Sequence, residues 1–345
     1  MKRILLSTLL AATLFPASAH THGNNPATKL EQATALTPET FRIRDPFVLV
    51  DKKKKCYYII TTAQTESRHR ALRAYRSTDL EHWYDAGLVY DSSHDALACV
   101  DTEKDVWWAP DTYRYKGRYY TFVTSSAEAN GIPRFTTALC SDKGPLGPYH
   151  AMHDNISQIP LTPDGVQCID GSLFVDNDGT PWIVYTKEWN GPEVQNKVGE
   201  AWAQRLTKKL DGKVGDPIFL FRADEAPWVP GFKGGGHVVD APFIWRDKQS
   251  GRLVMLWSSF TTDDVYAVGQ LTSETGTIRG PWKHEPCPVF VNGGHQMLFH
   301  DLDGNLKMSL HYDNNDGHLR ILDVEIADGI LRVTTPSYSS ADKSR

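Results

Sequence analysis

The sequence predicts an all-β fold, a five-bladed β-propeller with four-stranded antiparallel blades around a central channel. Three observations carry this. One hairpin-like unit recurs five times. Successive units start roughly 55 to 70 residues apart, in the upper part of the range for propeller blades. No amphipathic helix longer than a few turns follows the N-terminal segment.

Taken in order, residues 1–19 read as a cleavable export signal. Lys2 and Arg3 give a positive start, Ile4 to Phe15 a short apolar stretch, and Ala17-Ser18-Ala19 a small-residue cleavage site. The stretch is too short to span a bilayer, so a periplasmic or secreted protein without a membrane span is expected. Residues 20–40 form a lead-in, 41–335 the propeller and 336–345 a polar tail. The first unit is Arg44-Asp45-Pro46 and the apolar run to Val50, then Cys56 to Ile60. The second is Trp108-Ala109-Pro110-Asp111, then Gly117 to Val123. The third is Ile169-Asp170-Gly171 to Val175, then Gly179 to Tyr185. The fourth is Val239-Asp240-Ala241-Pro242 to Trp245, then Gly251 to Trp257. The fifth is Gly294-His295-Gln296 to Phe299, then Gly304 to His311. Each pairs β-branched and aromatic residues across a turn, the pattern of a hairpin. The spacing leaves room for two outer strands. Ser77 to Trp83, Gly144 to Tyr149, Gly276 to Trp282, and Leu206 to Leu210 with Pro217 to Phe221 are read as marking them.

Composition narrows the function. Net charge is −5, and the one basic run, Lys52 to Lys55, falls in an expected turn, so nucleic acid is not an expected partner. The five cysteines are scattered and never in a CxxC pair, which argues against zinc and for mostly free thiols. Ten Trp and fourteen Tyr suit a carbohydrate partner, although all-β folds favour aromatics in any case. No organic cofactor is implied.

In a propeller the inner strand of each blade lines the channel, and the residues that open those strands meet at one mouth. Asp45, Asp111, Asp170, Asp240 and His295 all lie at or beside such openings. Glycoside hydrolysis needs one carboxyl group to protonate the leaving oxygen and a second to activate water or attack the sugar. Convergent Asp residues can supply that pair, and a third carboxylate can raise a neighbour's pKa. A single Asp in a turn often only caps it. The placement of Asp45 and Asp170 together, each just before an inner-strand run, favours chemistry.

The Arg-Asp-Pro of the first unit, Ser-Thr-Asp-Leu-Glu-His-Trp at 77–83, Trp-Ala-Pro-Asp of the second unit, and Ile-Asp-Gly with Asp-Asn-Asp-Gly of the third resemble glycoside hydrolase family 43 together. The resemblance runs from about Phe41 to Leu331. It implies an inverting glycosidase with Asp45 as general base and Asp170 as the carboxylate that tunes the acid. The expected substrates are terminal α-L-arabinofuranosyl, β-D-xylosyl or galactofuranosyl residues. An endo-arabinanase and a non-catalytic sugar-binding propeller are the alternatives. The family pattern opens the fourth blade with Glu-Gly-Pro, where this chain has Asp240-Ala241-Pro242. Asp240 with a shifted backbone and Glu225 from the preceding loop compete for the role of acid, with Glu188 behind them. Arg44, Trp108, Asp111, Glu188 and Trp228 are candidate substrate contacts. His295 would touch a hydrated channel cation, commonly calcium. The turn Asp176 to Gly179 lacks a distal Glu and is read as a turn and not a calcium loop. The length of 187–237 suggests loops that wall a pocket, which favours removal of terminal units.

Overall fold

The computed structural model describes residues 34–94, 104–153, 160–191, 197–231 and 235–335. The expected signal at 1–19, most of the lead-in, Cys99 and the polar tail lie outside the described residues.

Five antiparallel sheets follow one another along the chain. Blade 1 holds β1 (Val48–Asp51), β2 (Cys56–Gln64), β3 (Arg70–Ser77) and β4 (Trp83–Asp91). Blade 2 holds β5 (Trp107–Tyr115), β6 (Arg118–Ala127), β7 (Ile132–Ser141) and β8 (His150–Ala151). Blade 3 holds β9 (Cys168–Val175), β10 (Pro181–Lys187), β11 (Glu200–Arg205) and β12 (Ile218–Arg222). Blade 4 holds β13 (Asp240–Arg246), β14 (Leu253–Phe260), β15 (Tyr266–Ser273) and β16 (Trp282–His284), with β17 (Phe290–Val291) beside β15. Blade 5 holds β18 (Gly293–His300), β19 (Leu306–Tyr312), β20 (His318–Ala327) and β21 (Ile330–Val333). Among the described residues, helix is confined to short 3-10 turns such as Ala223–Glu225.

The middle strands lose the polar–apolar alternation of a half-exposed sheet. Pro181–Thr186 in β10, Leu253–Ser259 in β14 and all of β15 are buried, because neighbouring blades cover both faces. The hydrophobic clusters accordingly lie between blades. One joins Phe221 and Trp228 of blade 3 to Trp257 and Ala267 of blade 4. Each blade is built from strands consecutive in the chain. The segment before β1 closes the ring, where Ile43 N–H donates to Gly317 O and Leu319 N–H to Phe41 O, and Leu36 of the lead-in bridges Trp83 of blade 1.

Of the strand markers between the hairpins, Pro217 to Phe221 coincides with β12 (Ile218–Arg222), and the others need correction. Ser77 to Trp83, Gly144 to Tyr149 and Gly276 to Trp282 are turns between third and fourth strands, not strands. Their side chains say why: Ser77 Oγ accepts from Leu80 N–H, and Asp79 Oδ1 accepts from the Glu81 and His82 N–H groups, the local bonding that ends a strand. Leu206 to Leu210 is likewise a turn, and the third strand of blade 3 is Glu200–Arg205. The stretch 187–237 is therefore partly blade, carrying β11 and β12, so its length gives no support to a walled pocket. Asp176 to Gly179 is the turn between β9 and β10, with Gly179 N–H donating to Asp176 O and Arg246 paired with the Asp176 carboxylate.

His284 sits at the same interface of blades 3 and 4. Its ring meets Phe221 and Trp257 edge to face, and neither ring nitrogen has a hydrogen-bond partner. Burial lowers its pKa to about 4. The unfolded chain, with an ordinary value near 6.5, then takes up the proton first as pH falls. Stability from this group is complete above about 6.5 and is lost between there and about 4. At pH 5 the loss is about 2 kcal/mol, at about 1.4 kcal/mol per unit. His284→Leu is expected to reduce the drop in Tm between pH 7 and pH 5. Identical drops in the two proteins would refute this.

Candidate active site

Each inner strand opens on a residue in the left-handed region. These are Asp45 (φ 54°), Ala109 (48°), Asp170 (56°), Ala241 (49°) and His295 (52°). A non-glycine residue there costs on the order of 1–3 kcal/mol, and the kink recurs in all five blades. In the second to fifth blades the ladder slips at the kink, between Trp108 and Asp111, around Ile169 and Ser172, between Asp240 and Phe243, and between Gly294 and Met297. The bulge turns side chains out of the sheet plane towards the channel.

The repeat also refines which residues are equivalent. Asp45, Asp170 and His295 occupy the kink itself. Blades 2 and 4 have alanine there, with Asp111 two residues later and Asp240 one residue earlier. The acidic residues at the mouth thus approach the axis from three different register positions. Small residues make room. A Cβ on Gly171 would lie 2.5 Å from Thr136 Cγ2, and one on Gly294 2.2 Å from Tyr266 Cε1.

His295 is the electrostatic centre. Its Nδ1 lies 3.1 Å from Asp45 Oδ1 and 3.9 Å from Asp170 Oδ2. Burial alone would lower the imidazole pKa, but Asp45 and Asp170 outweigh it and raise it to about 10. The imidazolium acts in return on the carboxylates. Burial pushes Asp45 upward, yet His295 overrides it and holds Asp45 well below the usual carboxylate range. Asp170 stays raised by burial and by Asp45 despite His295, while Ala241 N–H donates to its Oδ2 at 3.0 Å. Burial and Asp170 push Asp240 up to about 8, against a hydrogen bond from Tyr266 OH at 2.9 Å. Burial takes Asp111 to about 7. At neutral pH one carboxylate is therefore ionised and another protonated in the same pocket, the division of labour that acid–base chemistry uses.

The other expected contacts divide. Glu188 follows β10, is buried, and pairs with Arg134 Nε at 2.7 Å. Arg134 in turn lies over the Trp108 ring, 5.3 Å from its centroid, and Trp108 is 41% exposed. Trp108, Arg134 and Glu188 are thus linked in one chain of contacts, in which Arg134 acts on the charge of Asp170 and Glu188 on that of Asp240. Arg44 turns instead to the loop after β19, donating to Asn314 O and Oδ1. Trp228 packs on Trp257 in the core and is only 8% exposed. Trp107 is buried against Tyr90. Glu225 is half exposed, 4.0 Å from His284 at the outer strand of blade 4. Its charged neighbours Arg222, Asp224 and His284 lie outside the Asp cluster.

The donor set does not fit a directly coordinated ion. Calcium takes six to eight oxygen ligands, and no group of three or more His, Cys, Asp or Glu side chains is arranged to hold a metal among the described residues. His295 already turns Nδ1 to carboxylates, so a channel cation would have to be held by water.

Sequence reading missed Arg134, Tyr266 and His311. They lie on second and third strands, away from the openings that drew attention, inside runs that read as ordinary buried β-structure. Cys56, Cys140 and Cys168 are buried, and Cys287 is exposed.

The sequence model of glycosyl hydrolases family 43 matches residues 39–330. An endo-arabinase of Bacteroides thetaiotaomicron is 40% identical, with a TM-score of 0.75, over 86% of this chain and 99% of that one. A thermostable family-43 glycoside hydrolase is 23% identical, with a TM-score of 0.70, over 87% and 96% of the two chains, and shares the fold. The extracellular exo-α-(1→5)-L-arabinofuranosidase ArbA of Cellvibrio japonicus is 20% identical over 193 residues, 55% of this chain and 54% of that protein. The extracellular endo-α-(1→5)-L-arabinanase 1 of Bacillus subtilis is 23% identical over 155 residues, 43% and 44% of the two proteins. The chain spans about half the length of the curated relatives it matches.

Proposed function

This chain belongs to glycosyl hydrolases family 43, and on that premise we propose that it hydrolyses α-(1→5)-linked L-arabinofuranosyl units by a single inverting displacement. The observation that carries the reading is the split between Asp45, held ionised by His295, and Asp240, kept protonated at neutral pH by burial and Asp170. Asp45 takes a proton from water as the water oxygen attacks the anomeric carbon. The bond to the leaving oxygen breaks on the opposite face, and Asp240 gives that oxygen its proton. The base and acid of inverting enzymes stand about 6.5–9.5 Å apart to admit the water. Asp170 keeps Asp240 protonated and is itself held by the Ala241 N–H.

Asp240 is preferred to Glu225 because Tyr266 and Asp170 act on it directly, whereas Glu225 answers to His284 and Arg222. Trp108, with Arg134 above it, offers a face to a sugar ring, and Glu188 fixes Arg134. An arabinan substrate rests on the 40% identity to the Bacteroides endo-arabinase. That likeness favours cleavage within the chain over removal of terminal units, for which the loop-length argument has gone. The extracellular relatives agree with the export signal read at 1–19, and no helix among the described residues is long and apolar enough to cross a membrane.

The test is digestion of linear α-(1→5)-arabinan followed by proton NMR and chromatography. Arabino-oligosaccharides that first appear as the β-anomer are expected. Arabinose as the sole early product would mean attack at chain ends. Release of the α-anomer, or activity on xylosides with none on arabinan, would overturn the reading.

A further inference from the structure

We propose that Tyr266 and His311 form a stacked brace that positions the general acid and the general base together. The inference rests on the assignment of Asp240 and Asp45 above. Tyr266 opens β15, the third strand of blade 4, and His311 lies in β19, the second strand of blade 5. Their rings are parallel, 6° apart, with centroids at 5.6 Å. One ring ends on the acid: Tyr266 OH donates to Asp240 Oδ2 at 2.9 Å. The other ends on the base: His311 Nδ1 lies 3.3 Å from the Asp45 backbone N and 3.4 Å from its Oδ1.

The network decides how each group is used. Asn314 Oδ1 accepts from Arg44 at 2.9 Å and lies 3.3 Å from His311 Nε2. An amide oxygen can only accept, so His311 Nε2 donates to it, while Nδ1 faces both the Asp45 N–H and the Asp45 carboxylate. These contacts hold a residue whose backbone sits at φ 54°, where non-glycine residues are strained. Arg44, assigned by sequence to substrate, thereby belongs to the support of the base. On the acid side, Tyr266 occupies Asp240 Oδ2, so the transferable proton resides on Oδ1. An aspartate where the family pattern has glutamate has fewer torsions to place its carboxyl, and the tyrosine removes one of them. Only glycine fits beside the stack, because a Cβ on Gly294 would meet the Tyr266 ring at 2.2 Å.

The ionisable groups acting on Asp240 are Asp170, Tyr266, His295 and Glu188. The tyrosine hydrogen bond favours the ionised carboxylate against burial and Asp170. Tyr266→Phe keeps the ring and the stack and removes only this bond. Its expected effects are about a tenfold lower kcat on an arabino-oligosaccharide, a smaller loss on a 4-nitrophenyl α-(1→5)-L-arabino-oligosaccharide, and an alkaline limb moved to higher pH. His311→Phe keeps the ring but removes both nitrogen contacts. It should lower kcat about equally on the two substrates, with little change in KM. A purely packing role would leave the pH limb of Tyr266→Phe in place and make both variants lose activity alike on both substrates, which would overturn the proposal. Asp240→Asn, run alongside, separates the two levels. If it shows leaving-group dependence and Tyr266→Phe does not, the brace is wrong. If Asp240→Asn itself lacks that dependence, the assignment of the acid is wrong. Thermal denaturation of each variant confirms that the compared proteins are folded, and Tyr266→Leu, which fits within the same space and lacks the hydroxyl, provides a second disruption of the contact should Tyr266→Phe be lost to misfolding.

Discussion

Asp240→Asn should cut turnover of an arabino-oligosaccharide by about 10²–10⁴-fold, with a far smaller loss on a 4-nitrophenyl α-(1→5)-L-arabino-oligosaccharide. A sugar alcohol is a poor leaving group and needs the proton that Asp240 supplies, whereas a nitrophenolate departs nearly unaided. Asparagine preserves the size and the contact with Tyr266 while removing the acid. The pH profile gives an independent reading. Asp240 is protonated below about 8, so wild-type kcat on the oligosaccharide should fall as pH rises through that region, and the fall should vanish in the variant. Glu225→Gln, at the half-exposed site beside His284, should leave the substrate pattern as in the wild type. Equal losses of Asp240→Asn on both substrates, or a leaving-group-dependent loss in Glu225→Gln, would reassign the acid.

Asp45→Asn should reduce both substrates together, by about 10²–10⁴-fold, because water must be activated whatever the leaving group. Its acid limb is a second mark. Burial raises the Asp45 pKa, but His295 at 3.1 Å more than compensates, so the base should remain ionised to well below the usual carboxylate range. Activity should therefore persist into acid until Asp45 takes up a proton. Azide, which attacks without losing a proton, should restore part of the turnover of the aryl substrate by the variant and yield the inverted glycosyl azide. A variant that keeps most of its activity on the aryl substrate would show that Asp45 is not the base.

The fold was legible because propeller blades are local. Each hairpin is written in consecutive residues, and a turn such as Asp176 to Gly179 is formed by its own side chains. Outer strands were less legible. Their turns carry strong Gly, Pro, Ser and Asp signals, whereas strands such as Glu200–Arg205 have weak β-propensity and are held by neighbours on both sides. Placing strands on the turn markers was the resulting error.

The sequence by itself determined the five repeats, the carboxylates at their openings, and the substitution of Asp240 for glutamate, all of which depend on residue type and short spacing. Only the tertiary structure decided what those residues are to one another. It put Asp45, Asp170 and His295 on a shared kink, left Glu225 outside their group, turned Arg44 to Asn314, and packed Trp228 into the core. It also brought Tyr266 and His311 together from different blades. The reason is physical: a pKa, a hydrogen bond and a ring stack depend on separations of a few ångströms between groups many residues apart, and closure of the ring is what sets those separations.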